Sequence, residues 1–520
     1  MQGTGSQGVA VAPTSQSGIT TTRRVLLAGV VGIIAVAALL FFLHTVGPIL
    51  SFDGKSYAQI ARQIARGQGM TSKVIGRVEM TDRDLDPSQW RNRVRPPAPV
   101  YMEAWMFRLA GVNDLAATLW PAMFSVATAV MIFWFAEPLF GAAIAFVSGV
   151  AFALSPTGLM YPAAGLTEPA AMFLLIVSVV LLLRFRTAWA AALIGLSMAL
   201  CALTRPVAYL WTVVLLAAWI WRAQAEGRRW IAAVAALGIS FLAPLLLVSH
   251  LVHWEGGRLL LAINLAWRTN GSLQEALRSP TAFVLHHPGA LARKVFIELG
   301  RVGAYAFRFG NVLLFSPLAL FGLAMRRTEP PVRLARALIL SLLLSNALAL
   351  SVLNEGDAFA GPLRYFDVFV PLLLPWGVAA VWLLRDRTRR PVFVALLTVM
   401  LAGSAVHLVR DPGLKPKPAA VQMYRDLTGV VPAQDVIGSS GAEAIDGMAI
   451  AWYADRYVIG VTAQDVVELR LRGMPLNWYF ATDAEAVPPS FTMVRQWPGG
   501  FRLYQGASLD ATPNVGTAHK

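Results

Sequence analysis

Apolar residues in this chain come in runs of roughly 20, the length a helix needs to cross a hydrocarbon core about 30 Å thick. About eleven runs stand near residues 25–50, 115–136, 139–157, 168–185, 188–204, 206–221, 230–250, 306–325, 334–353, 363–384 and 391–408. They predict an α-helical polytopic membrane protein. Two polar connections are long, 51–114 and 251–305. In the first, Tyr57, Ile60, Ala61, Ile64 and Ala65 recur at helical spacing, while Gln59, Arg62, Gln63 and Arg66 take the opposite face. That pattern predicts an interfacial helix lying on the membrane and ended by Gly67-Gln68-Gly69. Residues 77–95 read as irregular, and Arg95-Pro96-Pro97-Ala98-Pro99 leads into a second amphipathic stretch, Val100 to Leu109. The second long connection reads as short helices broken at Gly271, Pro280, His287-Pro288 and Gly300.

The pattern changes after His407. Residues 409–418, with Lys415-Pro416-Lys417-Pro418, read as a linker between a membrane domain at 23–408 and a small α/β domain at 419–506. Short apolar runs predict strands at Asp435–Ser439, Arg456–Gly460 and Asn477–Ala481. Helices are expected near 420–428, 443–453 and 463–472, with a hairpin from Thr492 to Gln505 turning at Pro498-Gly499-Gly500. Residues 1–22 and 507–520 read as tails, the first cytoplasmic and disordered because it is rich in Gly, Ser, Thr and Gln. The apolar run after it is too long for the core of a cleavable signal.

Composition supports a membrane protein: 56% of residues are hydrophobic, 14% are charged, and the mean hydropathy is +0.57. The net charge of +15 is scattered through loops, which points to anionic lipid or a phosphorylated substrate rather than nucleic acid. A single cysteine, Cys201, excludes an internal disulfide and a cysteine metal cluster. Arg23-Arg24, Arg184, Arg186, Arg222, Arg228, Arg229, Arg326, Arg327, Arg333, Arg336, Arg385, Arg387, Arg389 and Arg390 all fall on one side, which the positive-inside rule makes cytoplasmic. Both long loops and the C-terminus are then extracytoplasmic. These loops are more basic than that side requires, so their charge has another use.

Asp53 opens the first external loop. Two compatible readings apply: it caps the helix that follows, and it acts as a general base, since partial desolvation raises a carboxylate's affinity for a proton. Glu168, in Gly165-Leu166-Thr167-Glu168-Pro169, either begins a helix or faces a polar cavity, because a carboxylate in hydrocarbon costs about 2.5–3.5 kcal/mol. Both stand on the external side, where together they would orient an acceptor or hold a divalent cation. Basic candidates for a phosphate are Lys55, Arg91, Arg93, Arg95, Arg205 and Arg364, each with the alternative reading of a side chain snorkelling to the interface. His286-His287 lacks a spaced partner for metal, and no Walker A, zinc-protease or dinucleotide motif is present.

In their order and sidedness these residues resemble the GT-C superfamily of integral-membrane glycosyltransferases, and within it the protein O-mannosyltransferase-like group that includes the bacterial lipid A aminoarabinose transferase. The resemblance spans about residues 25–408. It is carried by Asp53 with Tyr57, Arg95-Pro96-Pro97 through Tyr101, Thr167-Glu168-Pro169, Thr204-Arg205-Pro206 and Arg364-Tyr365. It implies a bacterial inner-membrane enzyme taking a sugar from a polyprenyl-phosphate-linked donor, usually with inversion, and passing it to a glycan, lipid or protein acceptor. Asp53 matches the catalytic aspartate and Glu168 the second acidic position. Lys55, Arg93, Arg95, Arg205, Arg364 and Tyr365 are then the expected ligands of the donor phosphate. Many members carry a second acid directly after the first; Gly54 stands there in this chain, a departure that weakens the case for a metal site at Asp53 and argues against a true protein O-mannosyltransferase. A transporter or flippase of anionic amphipathic lipids is the alternative. It would explain the basic loops, but the chain shows no inverted repeat.

Overall fold

A computed structural model of the chain describes residues 20–76, 85–92, 94–227, 230–252, 254, 261–262, 265–266, 273–307, 315–325, 329–353, 366–384, 418–439, 444–482, 486–498 and 500–507. Most of the expected tails at 1–22 and 507–520, the run at 391–408 and nearly all of the linker lie outside these residues, as do Arg93, Arg364 and Tyr365; the last residues of the first tail are not disordered but cap and begin a helix at Thr21.

Each apolar run within the described residues is helical. In chain order the helices are α1 (Thr21–Thr45), α2 (Phe52–Ala65), α3 (Pro97–Ala110), α4 (Asp114–Phe140), α5 (Ala142–Ala153), α6 (Pro156–Ala163), α7 (Glu168–Arg184), α8 (Ala188–Ala202), α9 (Ala208–Ala225) and α10 (Ile231–Val252). Further apolar helices run Phe315–Ala324, Pro330–Leu353 and Val370–Leu384. Among the described residues, five helices are long and apolar enough to cross a membrane: Thr21–Thr45, Asp114–Phe140, Ala142–Ala163, Ile231–Val252 and Pro330–Ser351.

The bundle's core is built from the inner faces of α4, α5 and α7 to α10 together with the two last long helices. Small residues set its spacing: Ala190, Ala191, Ala199 and Ala202 of α8 are fully buried, as expected where lipid gives helices no reason to associate except close packing. The second long connection differs from expectation at one point. Helices Pro280–His286 and Pro288–Phe307 do break at the prolines, but Gly300 lies inside a continuous helix. A single Gly costs a helix only about 1 kcal/mol, which neighbouring turns absorb.

The C-terminal part holds a six-stranded sheet: β1 (Val74–Gly76), β2 (Val436–Ser439), β3 (Tyr457–Gly460), β4 (Trp478–Thr482), β5 (Phe491–Gln496) and β6 (Phe501–Gly506). Its order is β1-β3-β2-β4-β6-β5. The first four strands are parallel and the hairpin β5–β6 joins β4 antiparallel. Successive residues feed two cores, Val436, Ile459 and Tyr479 on one face and Ile437, Val458 and Trp478 on the other. Both faces are covered, as parallel sheets require.

Strand β1 comes from the first long connection and pairs with β3 through Val74–Val458, Ile75–Ile459 and Gly76–Gly460. Three residues are too few to show an alternation, so the sequence left them inside a loop. The loop is thus bound into the sheet.

Candidate active site

Helix α2 starts where α1 has ended, and Ser51 is its N-cap, accepting from the Gly54 amide at 3.0 Å. Asp53 is therefore not the cap. It sits in the first turn, where the helix dipole favours a carboxylate. The start of α2 is laced to the turn before α7: Ile49 N donates to Ala163 O at 2.9 Å, and Ser51 N and Oγ both donate to Ala164 O at 3.0 Å. Gly54 faces Gly165 across this seam. A Cβ at 54 would lie 2.3 Å from Ala164 O, and Gly165 has φ +66° with Gly54 Cα 3.2 Å from where its own Cβ would be. Only glycine fits both positions, and their contact brings the Asp53 and Glu168 ends of two helices together.

Helix α2 is not an interfacial helix with a wet polar face. Gln59, Arg62 and Gln63 are as buried as Ala58 and Ala61. Gln59 donates to Ser72 Oγ at 2.9 Å and accepts from the Lys73 amide at 2.9 Å, and Arg62 is held by the C-terminal part. The other face packs on Val100, Ala104 and Phe107 of α3. Amphipathic spacing was read correctly; the partner of the polar face was protein rather than water.

Two carboxylate–guanidinium pairs form the site. Arg95 Nη1 meets Asp53 Oδ1 at 2.7 Å, and Arg95 Nε donates to Ser56 Oγ at 2.9 Å. The guanidinium lies 5.6 Å from the Phe52 ring centroid and 5.3 Å from that of Tyr57. Asn92 braces the Arg95 backbone, accepting from its amide and donating to its carbonyl. Burial would lower the proton affinity of Arg95, but the charge of Asp53, with Tyr57, outweighs it and raises that affinity above the ordinary range. In the second pair Arg205 Nη1 meets Glu168 Oε1 at 3.1 Å, with Glu168 fully buried as the first residue of α7. The Arg205 amide donates to Cys201 O at 2.7 Å as α8 ends.

Tyr57 ties the pairs into one site. Its phenol is pushed above its ordinary range chiefly by burial; Arg95 and Arg205 draw it down while Asp53 and Glu168 push it up. All four charges therefore act on one ring. A polar contact the sequence does not announce joins α6 to a later segment: Tyr161 Oη donates to Asp367 Oδ2, at the start of the helical segment that follows Arg364 and Tyr365. A hydroxyl and a carboxylate 206 residues apart leave no local signal. Lys55 is placed differently, with Nζ 6.0 Å from the ring centroid of Tyr453 in the C-terminal part.

The residues do not fit a divalent cation at Asp53. Each of the two carboxylates is paired with a guanidinium, position 54 has no room for an acidic side chain, and among the described residues no three His, Cys, Asp or Glu side chains cluster as a metal site.

No family model matches the sequence, and no curated protein matches it. Solved structures do. The archaeal oligosaccharyltransferase AglB from Archaeoglobus fulgidus, in complex with an inhibitory peptide and a dolichol-phosphate, is 11% identical with a TM-score of 0.56 over 95% of this chain and 75% of that one. The Archaeoglobus fulgidus oligosaccharyltransferase in complex with Zn and sulfate is 11% identical with a TM-score of 0.52 over 94% and 74%. ArnT from Cupriavidus metallidurans bound to undecaprenyl phosphate is 15% identical with a TM-score of 0.49 over 95% and 100%. The fold of this chain is that of the GT-C glycosyltransferases.

Proposed function

We propose that the chain is a membrane glycosyltransferase that moves a sugar from a polyprenyl-phosphate-linked donor to an acceptor hydroxyl on the extracytoplasmic face, with inversion. One observation carries this reading: two carboxylate–guanidinium pairs, Asp53–Arg95 and Glu168–Arg205, gathered around Tyr57 at the end of a GT-C bundle. The fold accepts a lipid phosphate in AglB, whose structure holds a dolichol-phosphate. A site with two arginines held in place by carboxylates suits the same chemistry.

In the proposed reaction the acceptor oxygen attacks the anomeric carbon while Asp53 takes the hydroxyl proton. The bond from that carbon to the phosphate oxygen breaks, and its electron pair leaves with the phosphate. Arg205, oriented by Glu168, meets the developing charge, with Arg364, Tyr365, Arg93 and Lys55 as further phosphate ligands in this scheme. Arg95 is assigned a second task, holding Asp53 ionised and oriented. Eleven membrane spans, a cytoplasmic N-terminus and an extracytoplasmic C-terminal domain at 419–506 belong to the same proposal.

The test is transfer of radiolabelled sugar from a panel of polyprenyl-phosphate sugars by the purified protein and its Asp53→Asn variant. Label transferred or released only by the unmutated protein is expected. Equal turnover by the variant removes Asp53 from the chemistry, and silence across the panel with donor binding intact favours the lipid transporter.

A further inference from the structure

The C-terminal part grips α2 at the end opposite Asp53. Residues Ile450–Ala454 form a single π-helical turn, closed by Asp455 in the left-handed conformation at φ +56°. Asp tolerates that conformation better than most residues, and lone π turns recur at functional positions. Asp455 gathers three cations from the first external loop: Arg62 at 2.8 Å, Arg66 at 2.7 Å and Lys73 at 2.7 Å. Arg62 also donates to Trp452 O at 2.8 Å and to Ala451 O at 2.6 Å, so one buried guanidinium closes carbonyls at the end of the turn. Trp452 also reaches α3 and α4. Its Nε1 donates to Asp114 Oδ1 of α4 at 2.7 Å, and its ring stacks on Phe107 of α3 with centroids 5.6 Å apart and planes 17° apart. Strand β1 pins the chain just after α2 into the same sheet.

Helix α2 is a short rod, fixed to the α6–α7 turn by its first residues and to the sheet by its last. Asp53 and Arg62 are nine positions apart, about 13 Å along the axis at ~1.5 Å per residue. A helix of 14 residues is not stable alone and takes its rigidity from both attachments.

We propose that Asp455 and the π turn before it are positioning elements for transfer: they set the place and rigidity of α2, and through it the place of Asp53, without touching substrate. The inference rests on Asp53 as the base, so its test has a readout that does not. Variants Asp455→Asn, which keeps a residue tolerant of the left-handed backbone, and Trp452→Phe, which keeps the stacking but loses the bond to Asp114, are compared with Arg495→Ala. Arg495 lies on the surface of the same sheet, paired with Asp426. Amide hydrogen exchange along 52–65, donor affinity and kcat per folded molecule are measured on the full chain.

Faster exchange in both clamp variants is expected to reach the first two turns of α2, with kcat lower by about tenfold, donor affinity within twofold, and Arg495→Ala unchanged. A displacement well under 1 Å accounts for a loss of that size. Acceleration confined to the last turn, or kcat within twofold of the unmutated protein in both variants, overturns the proposal. Should the unmutated protein transfer no sugar, the glycosyltransferase reading fails while the exchange result still decides whether the clamp rigidifies the rod.

Discussion

Gly54→Ala is the substitution whose effect the structure fixes most tightly. The new Cβ would stand 2.3 Å from Ala164 O, a backbone atom, where ordinary contact begins at 3.4 Å. The two segments must separate by about 1 Å, because neither a rotamer change nor a flexible side chain can absorb the overlap. That movement strains the bonds from Ser51 N and Oγ to Ala164 O, both 3.0 Å, and it acts between the residues that carry Asp53 and Glu168. Overpacking of this kind costs about 1–3 kcal/mol of stability. A 1 Å misplacement of reacting groups costs about 10²-fold in rate. Thermal unfolding followed in detergent and single-turnover transfer at saturating donor measure the two effects separately. The expected outcome is a folded protein with a somewhat lower Tm, near-normal donor affinity and a kcat reduced about a hundredfold. A kcat within threefold of the unmutated protein would refute the claim that the Gly54–Gly165 contact aligns the two acidic residues.

Glu168→Gln or Arg205→Met alone leaves a buried charge without its counter-ion and should cost about 3–5 kcal/mol, whereas the double variant should recover most of that stability without recovering transfer; a double-variant cycle on unfolding energies checks the coupling. Glu103 of α3 is fully buried, and burial raises its proton affinity well above the ordinary range against the opposing pull of the Trp120 side chain. The folded state therefore holds this proton after the unfolded chain has released it, so stability falls as pH rises above the ordinary carboxylate value of about 4.3. Glu103→Gln should raise Tm at neutral pH, with a gain that shrinks toward pH 4; a pH series of Tm values shows either this trend or its absence. Dialysis against a chelator should leave transfer within twofold, and loss of activity restored by Mg²⁺ or Mn²⁺ would contradict the donor set at Asp53.

What the sequence disclosed and what it hid follow from the range of the signals. Long apolar runs and the short ones around Val436, Val458 and Tyr479 are local signals, and among the described residues they fall on helices and strands. Asp53 and Glu168 were legible for a related reason, since acidic residues at the ends of apolar runs need an explanation. Their partners were less so. Arg95 and Arg205 read as phosphate ligands, yet the structure pairs each with a carboxylate, because pairing depends on the Gly54–Gly165 seam and on how α3 begins and α8 ends. The polar face of α2 misled in the same way: a sequence cannot tell a face that meets water from one that meets the Trp452 and Ala451 carbonyls almost 400 positions away.

Pairing Asp53 with Arg95 looks at first like a handicap for a base, since a neighbouring cation lowers a carboxylate's appetite for protons. Charge conservation in the proposed reaction supplies the reason for it. The donor is a phosphodiester with one negative charge, and the released lipid phosphate is a monoester with nearly two at neutral pH, its second pKa being about 6. Transfer therefore moves one negative charge from Asp53, which gains the proton, to the phosphate. Arg95, whose own proton affinity Asp53 and Tyr57 raise, stands as a cation 2.7 Å from Asp53 and favours its negative charge. With Gly54 in place of an acid, no other residue adjoining Asp53 in the sequence repels that charge. Arg95→Gln removes the cation while keeping hydrogen-bond donors toward Asp53 and Ser56. The acid limb of the kcat profile should then move to higher pH, because a base without its cation holds its proton longer, while donor affinity changes little. An acid limb that stays in place, with donor affinity lost instead, would mean that Arg95 serves the phosphate and that Asp53 depends on something else for its charge.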